Sequence, residues 1–555
     1  MENKFLPLIE DSIKRNWDLP ALSDYNGRTY SYGDFARKIA ELHMLFEVIG
    51  IEKGDRIALC GRNMSNWAVT FFATLSYGAV ATTILHDFSA DSVHKIVNHS
   101  EAKVLFVGDY VWDKLNPEEI PLVETILMID DFSVLKSRSQ KLIEICADRE
   151  RIFGEKYPAG FTKDDVKFYD EQPDEVAVLN YTSGTTSNPK GVMVPYRSLW
   201  SNMQYAIRAI EFVHTGDGMV SMLPMSHMYG LAFEILLSIA KGCHVNFLTR
   251  VPSPQVIMEA FARVKPTLVI AVPLIIEKII KNKVFPKLNK QPVKTLVKLP
   301  FIKGKIHKMV LNELLTAFGG KLIELVIGGA ALNKEVGDFL TQIRFPYTVG
   351  YGMTECGPLI SYSYWETYAP ASSGRVVDRM QIEIDSTDPL NVSGEILVKG
   401  MNVMTGYFKN QEATDEVLDK DGWLRTGDLG IIDRDGNVFI KGRNKSMILG
   451  ASGQNIYPED IESILNNLPY VLESLVIEEE GGKLVALIVP DADQLKEANI
   501  PDAQLQGVFE ETIKTLNKKL PGYSQVSRFR LRTEEFEKTP KRSIRRFLYQ
   551  TLPGK

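Results

Sequence analysis

The sequence predicts an α/β protein in two parts: a large N-terminal domain, residues 1–440, with sheets built from βαβ units, and a small α+β domain, residues 445–555. Three observations predict it. A chain of 555 residues outgrows a single hydrophobic core. Apolar runs of strand length alternate with amphipathic helical stretches, the rhythm of parallel sheet. Near 440–445 a turn, Asp433-Arg434-Asp435-Gly436-Asn437, has closed a hairpin and a more charged stretch begins.

The elements follow in order. Thr29-Tyr30-Ser31 leads into an amphipathic helix over 32–49, with Ser31 as its N-cap. After Gly50 and Gly54 come a strand at 55–60, a helix capped by Ser65 and running through Ser76, and a strand at 80–85. The rhythm recurs with a helix over 89–100, a strand at 104–107, and further strands near 267–270 and 322–327. The uncharged run from 63 to 86 is long enough for a bilayer span, but Asn66, Ser76, Tyr77 and Gly78 divide it into a helix and a strand.

Composition excludes several classes. With 45% hydrophobic and 24% charged residues the chain is that of an ordinary globular protein. A net charge of -6 gives no global basic field for nucleic acid, so anion binding must be local. Cys60, Cys146, Cys243 and Cys356 are scattered, which points to neither a zinc site nor a disulfide framework and fits a reducing, cytoplasmic setting. The sequence lacks HExxH and GxSxG, which argues against a zinc or serine hydrolase.

The most informative stretch is Tyr181-Thr182-Ser183-Gly184-Thr185-Thr186-Ser187-Asn188-Pro189-Lys190-Gly191, set between strands at 176–179 and 192–194. Hydroxyls, Gly-freed amides and one Lys at its end suit phosphate oxygens. It is not a Walker A loop, because Pro189 precedes the Lys and Gly191 follows it. Such a run is by composition as well a solvated linker, but the terminal Pro-Lys-Gly and the flanking strands argue for a built loop.

Five further segments stand in order behind it: Leu223-Pro224-Met225-Ser226-His227, Ile327-Gly328-Gly329-Ala330, Tyr351-Gly352-Met353-Thr354-Glu355, Gly422-Trp423-Leu424-Arg425-Thr426-Gly427-Asp428, and Gly442-Arg443-Asn444-Lys445 leading to Tyr457-Pro458-Glu459-Asp460. Together the six segments resemble the adenylate-forming (AMP-binding) superfamily, and most of all its bacterial long-chain fatty acyl-CoA synthetases. That resemblance implies a mobile C-terminal domain and an ATP-dependent, Mg2+-assisted activation of a carboxylic acid to acyl-AMP. Transfer to the thiol of coenzyme A then follows. It implies that Thr182, Ser183, Gly184, Thr185, Thr186 and Lys190 hold the β- and γ-phosphates, that Thr354 meets the α-phosphate, and that Glu355 holds the metal. Asp428 and Arg443 are implied ribose contacts, and Gly328, Gly329, Ala330, Tyr351 and Gly352 an adenine site. His227, Met228, Gly230 and Cys356 are implied at the acyl pocket, Lys445 at the hinge, and Gly450 and Gly453 on the path of the thiol. Several of these residues have plainer readings. Thr354-Glu355 suits a helix N-terminus, Asp428 a turn, the Gly328-Gly329 pair a tight strand end, and a lone His is usually structural.

One departure stands out. Ser543 occupies the position of the family's C-terminal catalytic Lys and Arg542 that of its Gly, within Lys538-Thr539-Pro540-Lys541-Arg542-Ser543-Ile544. Lys541, two residues back on the same side of an extended chain, is the leading substitute, with Arg542 second. No acid follows His227 before Glu234, which favours an uncharged acyl tail of medium or long chain. Alternatives are a fatty acyl-AMP ligase loading a carrier protein, and a catalytically silent nucleotide-binding member. Between Glu277 and Lys308 ten lysines and a single acid interleave with apolar residues, a pattern that suits either a solvated helical face or peripheral contact with an anionic membrane surface.

Overall fold

The computed structural model describes residues 3–182, 190–249, 254–296, 299–449, 455–479, 483–538 and 544–549. Its largest sheet has eight strands in the order Gly406–Tyr407, Lys190–Pro195, Val176–Thr182, Val80–Ile84, Arg56–Cys60, Val104–Val107, Thr125–Met128 and Val134–Ser137. The inner pairs are parallel and the outer ones antiparallel. Val80–Ile84 and Val104–Val107 are buried along their whole length, as strands covered on both faces must be. A second parallel sheet joins Leu268–Ala271, Glu324–Ile327 and Tyr347–Val349.

Helix Tyr32–Ile49 begins where the sequence places it. Ser31 Oγ accepts from the amide of Asp34 at 3.0 Å, and Asp34 Oδ2 accepts from the amide of Ser31 at 2.9 Å, a reciprocal cap. Gly50, at φ +81°, ends it. Helix Ala90–Ser100 starts one residue later than the 89–100 expected, because Ser89 is its N-cap and its side chain accepts from the Ser92 amide.

Helix Ser65–Ser76 differs from expectation at its start. Met64 is the N-cap, and Ser65 is the first helical residue. The acceptor is Asp24 Oδ1, which takes the Ser65 amide at 2.8 Å and its hydroxyl at 3.1 Å, so a residue 41 positions upstream caps this helix. Both this helix and strand Val80–Ile84 are buried, and among the described residues no helix is long and apolar enough to cross a membrane.

A four-stranded antiparallel sheet, Met380–Asp385, Gly394–Gly400, Leu424–Ile432 and Val438–Arg443, follows. Its last hairpin turns through Asp433 and Gly436, the latter at φ +81°. Beyond it a smaller α+β unit forms its own core: Val471–Glu479, Lys483–Pro490 and Arg528–Leu531 make one sheet, against which helices Pro458–Leu465 and Leu505–Asn517 pack Ile461, Leu465, Phe509 and Leu516.

Candidate active site

The site is a cleft of about 3590 Å³. That is several times the roughly 300–1,000 Å³ of a single small-molecule pocket, so it has room for more than one ligand. Its walls include Thr182, Lys190, His227, Gly230, Gly328, Gly329, Ala330, Tyr351, Gly352, Thr354, Glu355, Asp428 and Arg443, drawn from segments far apart in the chain.

The hairpin Val176–Thr182 and Lys190–Pro195 pairs Thr182 with Lys190 and so brings both ends of the Ser/Thr/Gly run to one edge of the large sheet. Ser183, Gly184, Thr185 and Thr186 lie outside the described residues. Lys190 Nζ stands 4.8 Å from the ring centroid of Tyr407, whose hydroxyl donates to Glu355 Oε1 at 3.0 Å. One aromatic side chain therefore spaces the cation from the acid. Tyr407 reaches this position because Gly406–Tyr407 adds as a short strand to Lys190–Pro195, while the Met404 amide donates to the Glu355 carbonyl at 2.8 Å. Thr354, buried at 5% exposure, opens the single 3-10 turn Thr354–Cys356.

Asp428 and Arg443 face each other by register, since Leu424–Ile432 and Val438–Arg443 pair them directly. Arg443 Nε donates to Asp428 Oδ1 at 3.1 Å and Tyr351 Oη to Asp428 Oδ2 at 2.8 Å. Burial raises the Asp428 carboxyl above the ordinary carboxylate range, against the opposing pull of Arg443 and of the Tyr351 hydrogen bond. A carboxylate has about four lone-pair sites, so two remain for incoming hydroxyls.

At Gly328 a Cβ would sit 2.8 Å from the Tyr229 ring, so its glycine makes room for that aromatic side chain. Gly329 adopts φ +82°, a conformation that other residues rarely hold. A Cβ on Gly352 would lie 2.1 Å from the Pro358 carbonyl oxygen, which forbids any other residue there.

The segment before His227 is held from three sides. Asn63 Nδ2 donates to the Leu223 carbonyl at 2.6 Å and Asn63 Oδ1 accepts from Met225 N at 3.0 Å. Asn180 Nδ2 donates to the Ser226 carbonyl at 2.7 Å. Glu234, fully buried, accepts from the amides of Met222 and Leu223 and from Ser221 Oγ. His227 caps the short helix Met228–Gly230, its Nδ1 accepting from the Tyr229 amide at 3.2 Å. Gly230 is needed because a Cβ would come within 2.9 Å of the Pro224 carbonyl oxygen.

Two residues expected at the acyl pocket are placed elsewhere. Met228 and Cys356 are both completely buried in the main core and neither lines the cleft, because in each case the neighbouring residue takes the exposed side of a tight turn. The backbone of Lys445 lies in the turn Asn444–Ser446 that follows strand Val438–Arg443. Gly450, Gly453, Lys541, Arg542 and Ser543 lie outside the described residues. Sequence reasoning passed over Tyr407, Asn63 and Asn180. Each acts across a long stretch of chain, and a lone Tyr or Asn carries no periodicity to mark it.

Residues 9–408 match the family model described as AMP-binding enzyme, and residues 445–551 match the AMP-binding enzyme C-terminal domain. The chain belongs to the AMP-binding enzyme family. Within that family it is 27% identical to the peroxisomal long chain acyl-CoA synthetase 6 of Arabidopsis thaliana over 509 residues, covering 86% of this chain and 70% of that one. It is 28% identical to 4-coumarate–CoA ligase 2 of Oryza sativa subsp. japonica over 527 residues, covering 88% and 84%. Among solved structures, an anthranilate CoA ligase in complex with anthranoyl-AMP superposes with a TM-score of 0.78 at 18% identity, covering 98% of this chain and 96% of that one. That likeness establishes the fold: mixed α/β, with a large N-terminal domain and a smaller C-terminal one.

The Glu234 clamp yields a pH test. Burial pushes its carboxyl from 4.5 up to about 8, outweighing the two amides and the hydroxyl that favour the charged form. A carboxyl raised in the folded state holds its proton more tightly there than when unfolded. Its contribution is therefore fully present below pH 4.5 and declines as pH rises toward about 8. Urea midpoints of the parent chain should fall relative to those of Glu234→Gln across that window. A difference that does not change with pH refutes the assignment.

Proposed function

We propose that this protein activates a fatty acid of medium or long chain with ATP, through an acyl-AMP intermediate and with release of pyrophosphate, and then forms the coenzyme A thioester with release of AMP. The observation that carries the reading is the convergence of Lys190, Thr354, Glu355 and the Asp428–Arg443 pair on one cleft that also has an apolar arm. We take that arm to be the part walled by helices Pro254–Val264, Pro273–Ile279 and Pro300–Ala317, whose lining includes Met258, Leu274, Ile279, Ile306 and Met309 beside the charged Glu277, Lys278 and Glu313. An alkyl chain gains from such a wall in proportion to the methylenes it buries, about 0.8 kcal/mol each, whereas a charged or strongly polar acid gains nothing from it.

The chemistry sets what the residues must do. A carboxylate attacks the α-phosphate of ATP although both are anionic, so the site supplies positive charge and fixed donors to the in-line transition state. Lys190 and the hydroxyls and amides of residues 182–186 take the terminal phosphates, and Thr354 donates toward the α-phosphate. Asp428 and Arg443 orient the ribose. Glu355 has one oxygen bonded to Tyr407 and suits Mg2+, which takes one or two carboxylates together with phosphate oxygens; when bound, the ion neutralises phosphate charge. His227, Gly230 and the Leu223–Met225 backbone border the carboxyl end of the acyl group. The small C-terminal unit turns about Lys445, exchanging the stretch that holds Lys541 for the one that holds Gly450 and Gly453 before the thiol attacks.

Acid-dependent pyrophosphate exchange tests the phosphate assignment. Lys190→Ala and Glu355→Ala should each lower it by about a hundredfold or more, the scale on which a positioned charge acts in a transition state, while the circular dichroism of the fold stays unchanged. Exchange at the parental rate in either variant removes that residue from the site. An acid panel in a coenzyme A-dependent AMP-release assay tests the substrate: kcat/KM should climb with alkyl length from butanoate to hexadecanoate and stay low for coumarate and anthranilate. A peak at an aromatic acid overturns the fatty-acid assignment. AMP release that needs a carrier protein and ignores coenzyme A overturns the acceptor.

Lys541 carries its own test, because a charge that serves only adenylation has no part in thiol attack. Lys541→Ala should slow acyl-AMP formation by about a hundredfold or more, yet leave thioester formation from chemically prepared acyl-AMP nearly unchanged. An equal fall in both half-reactions, or none in the first, moves the charge to Arg542 or elsewhere.

A further inference from the structure

Helix Pro300–Ala317 carries a solvent-facing stripe of unusual make-up. Phe301, Lys305, Lys308 and Met309 recur at helical spacing on one face, with Phe301 92% exposed and Met309 61% exposed. Leu299, just before the helix, is 51% exposed, and Leu274 on the neighbouring helix Pro273–Ile279 is 45% exposed. A Phe left almost wholly in water forgoes the full benefit of burial.

The exposed charges around it are predominantly positive. Lys278, Lys283, Lys290, Lys303, Lys305 and Lys308 are all exposed. Of the nearby acids, Glu277 accepts the Asn333 amide at 2.8 Å, and Glu313 pairs with Lys287 at 2.5 Å. A cationic, aromatic-tipped patch on a chain of net charge -6 repels neither anion nor hydrocarbon, and a surface that offers both together is an anionic lipid bilayer. The patch also borders the cleft: Leu274 and Met309 are exposed on its surface and line the apolar arm.

We propose that this patch docks the protein on anionic lipid, with Phe301 and Leu299 entering the interface, the lysines meeting headgroups, and the apolar arm of the cleft opening toward the acyl layer from which its substrate comes. The last clause rests on the fatty-acid reading; the docking itself does not. Each Lys near such a surface strengthens partitioning roughly fivefold, and the attraction falls with salt.

Flotation of the full-length chain with phosphatidylcholine vesicles, with and without one quarter phosphatidylserine, tests it. Binding should be at least tenfold stronger on the anionic vesicles, weaken at high salt, and drop at least tenfold in either Phe301→Ser or Lys303→Glu/Lys305→Glu/Lys308→Glu. Both variants change exposed side chains outside the nucleotide site, so pyrophosphate exchange with a short, water-soluble fatty acid should stay at the parental rate. Equal binding to neutral vesicles, no binding, or parental binding by both variants overturns the proposal. So does self-association of the chain that Phe301→Ser abolishes in the absence of lipid binding, which assigns the patch to a second copy. Loss of exchange with every acid while lipid binding persists refutes the fatty-acid reading and leaves the docking in place.

Discussion

The carboxylate of Asp428 is the joint on which the rest of the cleft depends. It ties together three segments that share no local sequence: Tyr351 after the second parallel sheet, its own strand Leu424–Ile432, and Arg443 at the end of the last strand before the small C-terminal unit. The two partners contribute unequally. Tyr351 Oη donates at 2.8 Å in a buried setting, where an unmade hydrogen bond is costly. Arg443 has a side chain 69% exposed, and an ion pair so open to water is worth about 0–1 kcal/mol. The Tyr351 half is therefore fixed framework and the Arg443 half is exchangeable. An arginine so placed gives up little on releasing its carboxylate.

A second constraint is the backbone that leads to His227. A loop with amides and carbonyls turned into the interior leaves them unsatisfied unless side chains meet them. Asn63, Asn180 and Glu234 do so, and all three are buried. Their cost is a carboxyl held in a medium that opposes its charge. Their return is that Leu223, Pro224 and His227 are held in place on the cleft wall. Gly328 and Tyr229 serve the same end from the other side, the ring filling the space that a Cβ would claim.

What the sequence revealed and what it hid divide along physical lines. Ser31 acts within four residues of the group it caps, so local chemistry was enough to read it. Strands Arg56–Cys60, Val80–Ile84 and Val104–Val107 were legible because burial on both faces leaves them almost wholly apolar, with Arg56 at a strand end and Thr82 and Thr83 the exceptions. Ser65 misled for the opposite reason: its helix takes a cap from Asp24, a tertiary contact that no local rule anticipates. Met228 and Cys356 sit beside residues that do face the cleft, and in a tight turn adjacent side chains point apart, so nearness in sequence did not carry over to the site. Tyr407 was invisible because its strand is two residues long and pairs with a segment more than two hundred positions earlier.

The small unit is held together near its C-terminal end by two ion pairs. Both described ends of the 539–543 stretch are anchored. Lys538 pairs with Glu473 at 2.8 Å and bridges to Ile544, and Arg546, 20% exposed, pairs with the buried Glu462. Glu462 also accepts the Val476 amide at 2.6 Å, and burial lifts its carboxyl to about 7 even with the guanidinium beside it. Removing one member of such a buried pair leaves an uncompensated charge, a loss of roughly 3–5 kcal/mol. Lys538 is thereby tied to strand Val471–Glu479 and Arg546 to helix Pro458–Leu465, so the two sides of the unit's core are joined through charges that burial makes costly to separate.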